Sequence, residues 1–134
     1  MSQENVEIVR NAFVAEAGDL ERTAATYWDP EIEYVEDPRW PGASRYKGRD
    51  AVLRCFQSYL EDLDPDGTGT VSVERVLDAG EHQVPLVRFR GRSSSGVPHE
   101  HLWAYVAEVR DGKIAYLRAY YEPEQALEAA GLEE

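Results

Sequence analysis

A change of period along the chain constrains its fold most. Up to about residue 63 apolar residues recur at helical spacing, whereas from Thr70 they alternate for roughly fifty residues. The alternating part falls into four runs: TVSVERVLDAG, QVPLVRFRGR, VPHEHLWAYVAEVR and KIAYLRAYY. Ala-Gly-Glu-His, Ser-Ser-Ser-Gly and Asp111-Gly112 separate them, the last being a two-residue hairpin signal. Helices first and antiparallel strands afterwards predict an α+β fold, with helices on one side of a curved sheet.

In NVEIVRNAFVAEA, Val6, Val9, Ala12 and Phe13 share a helical face, with Ser2 as a plausible N-cap and an end near residue 16. Gly18-Asp19 breaks and restarts the chain. Asp19 should cap LERTAATYW, whose Leu20, Ala24, Tyr27 and Trp28 form a second stripe, so the first two helices make a hairpin. Residues 31–37 alternate, with Ile32, Tyr34 and Glu36 on one face and Glu33, Val35 and Asp37 on the other, a strand ended by Pro38. DPRWPGASRYKG reads as a loop, although Trp40 and Tyr46 are large for a solvated one. A third helix follows Asp50, with Val52, Phe56, Tyr59, Leu60 and Leu63 on one face, and ends at DPDGTG. Pro123 and Gly131 bracket a terminal helix in EPEQALEAAGL.

A length of 134 residues fits one domain spanning 1–134, and 43% apolar with 30% charged residues is the composition of a globular protein. The formal net charge of -12 argues against nucleic acid and anionic membranes as partners. MSQENVEIVR has no signal-peptide character and no run of apolar residues is long enough to span a bilayer, so a cytoplasmic location is expected. Cys55 is the only cysteine, which rules out an intrachain disulfide and a cysteine-based zinc site and suggests a small buried hydrophobe.

FVAEAGDLE, VEDP, YKGRDAVLRCF, RDGKI and ALEAAGL, in that order and spacing, resemble the SnoaL-like proteins of the nuclear transport factor 2-like superfamily. The resemblance implies a cone: a bent antiparallel sheet wrapped over helices, enclosing one apolar pocket, in a protein that forms a homodimer through the outer sheet face. It also implies a small hydrophobic organic ligand, and either cofactor-independent acid-base chemistry of the isomerase, cyclase or dehydratase type or a non-catalytic binding or dimerisation module. By resemblance to the ketosteroid isomerases, whose base is the aspartate of a Val-Glu-Asp-Pro stretch, Asp37 takes the position of the base. Phe13 and Tyr105 take the positions of their two oxyanion donors.

Asp37 reads in two ways, as a base in an apolar cavity that raises its pKa or as the residue that starts an Asp-Pro turn. Trp40 and Tyr46 would cover the mouth of that cavity. His99, His101, Trp103 and Tyr105 share one strand face, which either lines the cavity or forms an aromatic interface, since Leu102, Ala104 and Val106 could equally be the core set. His101 or Tyr105 would supply the donor opposite Asp37. Phe13, Trp28, Phe56, His99, Trp103 and Arg118 complete the expected binding set, with Arg118 either a paired structural residue or a carboxylate binder. No metal is expected, because His82 is the only imidazole beyond His99 and His101. No cofactor is expected either, as there is no Gly-rich phosphate loop.

Overall fold

The computed structural model describes residues 2–16, 19–93 and 95–132. Its elements run α1 (Ser2–Glu16), α2 (Leu20–Tyr27), β1 (Trp28–Val35), β2 (Arg45–Lys47), α3 (Arg49–Leu63), β3 (Thr70–Asp78), β4 (Gln83–Arg92), β5 (Pro98–Arg110), β6 (Lys113–Tyr120) and α4 (Pro123–Ala129). The six strands form one curved, unclosed sheet in the order β2-β1-β6-β5-β4-β3. This is the α+β architecture that the change of period predicts.

Local chemistry sets several boundaries. Asp19 caps α2 by accepting the Arg22 N–H at 3.0 Å, which satisfies a backbone donor that the first helical turn leaves open. Gly18, the expected break before it, lies outside the described residues. α1 begins at Ser2, and the cap expected of its side chain lies outside what the structure describes. Asp111 and Gly112 both have positive φ, the conformation a tight hairpin turn demands, and they join β5 to β6 with Arg110 opposite Lys113.

The sequence reading is corrected at three places. Trp28 opens β1 and does not belong to α2, and the register against β6 shifts between Trp28 and Glu33, a stretch that contains Pro30. β1 and β6 are parallel, so the sheet is not wholly antiparallel. The expected loop after Pro38 contains β2, a three-residue edge strand that pairs with β1 through Tyr34 and Tyr46.

Helices α1 to α3 cover the concave face, and the core beneath them includes Val9, Phe13, Trp28, Ile32, Tyr34 and Phe56. The terminal helix does not join them. Ala126 and Leu127 of α4 pack on Val84, Ala104 and Val106, whose side chains alternate with the inward Trp103 and Tyr105, so α4 covers part of the outer face. The rest of that face carries a cross-strand ion network in which Arg88 bridges Glu74 and Glu100, with Arg90 also on Glu100. No described helix is long and apolar enough to cross a membrane.

Candidate functional site

Between the helices and the concave face lies a cavity of about 250 Å³. Trp103 and Tyr105 reach it from β5, Phe56 and Tyr59 from α3, Phe89 from β4 and Trp40 from the loop after Pro38. The face of β5 is fixed by pairing: Trp103 is opposite Val87 and Tyr105 is opposite Ala119, both buried.

One carboxylate that lines this cavity is that of Glu36. Ile32, Tyr34 and Glu36, at 0%, 2% and 6% exposure, form the inward face of β1 and its extension, while Val35 is only half-buried. Glu36 Oε1 accepts the Ser44 N–H at 2.9 Å. Its Oε2 accepts the Tyr59 hydroxyl in a short bond and is 3.7 Å from Cys55 Sγ. The Tyr59 oxygen lies 3.1 Å from the Tyr34 hydroxyl, so a chain of two phenols ends on the carboxylate. The Tyr46 hydroxyl also hydrogen-bonds Glu36, so the carboxylate is surrounded by neutral donors. Burial, then the Tyr34 hydroxyl and the bonds with Cys55 and Glu36, hold the Tyr59 phenol far above its ordinary value, so it stays a donor. Burial likewise pushes the Cys55 thiol up, and burial followed by the charges of Cys55 and Glu36 pushes Tyr46 up to about 12.

Asp37, in the turn after β1 and at 4% exposure, also lines the cavity, but both of its oxygens are already taken as acceptors. Its Oδ1 accepts the Arg39 N–H at 2.8 Å, the Asp-Pro turn, and its Oδ2 accepts the Tyr121 N–H at 2.7 Å and Arg39 Nη2 at 3.2 Å. Burial alone would raise its pKa. The hydrogen bonds from Arg39 and Tyr121, with the Arg39 charge, outweigh it and hold the carboxyl below its usual value, which corrects the expectation of a desolvated, more basic group. Arg39 also reaches Gln125 Oε1 at 2.7 Å, so Asp37 and Arg39 tie the turn to the C-terminal segment.

The other expected site residues divide. Trp40, Phe56, Trp103 and Tyr105 line the cavity. Phe13 lies behind Tyr105 with ring centroids 4.8 Å apart, Trp28 packs edge-on against Phe56, and Tyr46 stacks beside Tyr34; all three stand one layer behind the wall. His101 is not a donor across the cavity: its Nε2 bonds the Tyr121 carbonyl at 2.8 Å and its ring stacks on Tyr121. His99 is engaged by the Leu63 carbonyl at 2.9 Å. Arg118, opposite Val106, lies on the outer face with its guanidinium 5.2 Å from the Tyr120 ring, which removes it from any ligand set in the cavity. Among the described residues no group of three or more His, Cys, Asp or Glu could hold a metal ion. Sequence reasoning passed over Glu36, Tyr59 and Phe89, although Glu36 shares the parity of Ile32 and Tyr34.

A sequence model of the SnoaL-like domain matches residues 9–117. The chain belongs to the SnoaL-like family. No functionally curated protein matches it. Among solved structures it is similar to Bal32a from a soil-derived mobile gene cassette, at 20% identity over 96% of both chains with a TM-score of 0.79. It is also similar to a candidate SnoaL-like polyketide cyclase from Jannaschia sp. CCS1, at 17% identity over 99% of this chain and 95% of that one, TM-score 0.74. A third is a protein of ketosteroid isomerase-like fold from Catenulispora acidiphila DSM 44928 in complex with trimethylamine, at 19% identity over 95% and 94%, TM-score 0.70. At such identities the likeness shows this SnoaL-like protein's fold and leaves its chemistry to the cavity.

Proposed function

We propose that this SnoaL-like protein binds a small, largely apolar organic molecule in its cavity and exchanges a proton with it through Glu36, as an isomerase, cyclase or dehydratase would. The observation that carries this reading is the Glu36 carboxylate, 6% exposed, set in an aromatic wall and held by the neutral donors of Ser44 and Tyr59. Tyr59 fixes the oxygen and stabilises the charge to which the proton returns. The candidate polyketide cyclase of the same fold supports proton abstraction beside a carbonyl as the reaction class, and the complex with trimethylamine supports a small ligand.

The test uses 5-nitrobenzisoxazole, a small aromatic whose ring opens when a base takes its C3 proton and the N–O bond breaks to a cyanophenolate. The protein should turn it over faster than acetate at the same concentration, Glu36→Gln should abolish that rate, and Asp37→Asn should keep it. No rate above acetate would refute the proton-transfer reading, and loss in Asp37→Asn with retention in Glu36→Gln would transfer the role to Asp37.

The same proposal includes a homodimer through the outer face, where Leu102, Tyr116 and Arg118 are half-buried beside the ion network. Light scattering should give about twice the 15.2 kDa of one chain; a single-chain mass at micromolar concentration would remove the dimer from the proposal.

A further inference from the structure

We infer that the ligand of this cavity carries a cationic nitrogen, as a small alkylated ammonium compound with an apolar remainder. The inference rests on the proposal that the cavity holds a small molecule, and it names that molecule's charge.

Among the described residues the cavity is lined by three acidic residues, Glu36, Asp37 and Asp64, and by no Lys, Arg or His. Of these three, Asp37 alone has an ionic partner among the described residues, Arg39. Among the described residues Glu36 is met by neutral donors, the Ser44 N–H, the hydroxyls of Tyr59 and Tyr46 and the Cys55 thiol, and Asp64 accepts the Gly69 N–H at 2.8 Å. Carrying a carboxylate into a low-dielectric site without a counter-charge is unfavourable, and a bound cation would offset that cost. A net charge of -12 over the whole chain adds a field of the same sign. An anionic ligand would meet repulsion from both sources, and a neutral one would leave Glu36 uncompensated.

The wall supplies the second half of the argument. The Trp40 ring sits edge-to-face with Tyr59 at 6.1 Å and with Trp103 at 5.8 Å, and Phe56, Phe89 and Tyr105 extend the same wall. Aromatic rings at steep mutual angles around a void offer π faces to an enclosed group from more than one side, and alkylated ammonium ions are held in such surroundings by cation–π attraction. A strongly hydrated ion would gain less here than an organic ammonium, whose alkyl groups fill the apolar volume.

Three probes of nearly one shape separate charge from size: choline, the neutral 3,3-dimethylbutan-1-ol and the anion 3,3-dimethylbutanoate. Trp40 and Trp103 make intrinsic fluorescence the readout. Choline should bind about tenfold more tightly than the alcohol, the anion should bind weakest, and Glu36→Gln should bring the choline-to-alcohol ratio close to one. If the alcohol binds as tightly as choline, or the ratio survives in Glu36→Gln, the inference is overturned while the small-molecule reading stands. If neither choline nor the alcohol changes the emission up to about ten millimolar, the small-molecule reading itself falls. Circular dichroism checks that Glu36→Gln folds, and if it does not, the wild-type ratio decides alone.

Discussion

Glu36 and Asp37 are neighbours in the chain and almost equally buried, yet they belong to two different regions. Glu36 sits in the cavity wall with neutral donors and no ionic partner among the described residues; Asp37 sits in the turn after β1, where Arg39 and the Tyr121 backbone occupy it. Burial therefore does not decide which carboxylate is available for chemistry. Partners decide it, because hydrogen bonds and an ion pair that favour the charged form outweigh the desolvation that would make Asp37 more basic. The wall surrounds its carboxylate with neutral donors, and the turn uses its acceptors to hold the chain together.

That contrast can be broken by substitution. Asp37→Ala should have the largest effect, about 1–3 kcal/mol of stability in thermal or denaturant melts, since the part-buried bond from the Tyr121 N–H loses its acceptor and Arg39 its partner. Because the folded Asp37 has a depressed pKa, its contribution is present above the ordinary aspartate value and is lost as pH falls below about 4 and through the folded value; Asp37→Ala should lack that part of the acid transition. Asp37→Asn, which keeps one acceptor oxygen, should cost less. Arg39→Ala should cost least, because the guanidinium is 46% exposed and the pair is screened by water. If Glu36→Gln destabilised as strongly as Asp37→Ala, the wall carboxylate would be a structural hub like its neighbour, and the distinction between the two regions would fail.

The sequence made the large divisions legible because they rest on local chemistry. The change from helical to alternating period, the Asp19 cap and the Asp111-Gly112 turn each act within a few residues. The face of β5 was not decidable by alternation alone, since Trp103 and Tyr105 on one side and Ala104 and Val106 on the other are both apolar. What separates them is long-range: the strand partners Val87 and Ala119, and α4 arriving over Ala104 and Val106. Glu36 was hidden for a related reason. Val35 and Tyr34 are both plausible inward residues, and the half-buried Val35 carries the opposite parity. β2 has only three residues, too few for alternation to register. Tyr59 looked like one more helix-face residue until α3 set its hydroxyl on Glu36, a contact across 23 positions of chain.

The most direct measurement is the ¹³C resonance of the two side-chain carboxyls as choline is added to the isotopically labelled protein. The Glu36 carboxyl should move with ligand concentration and saturate together with the tryptophan emission, while the Asp37 carboxyl stays in place. Movement of Asp37 with Glu36 unchanged would contradict the assignment of the cavity's working carboxylate.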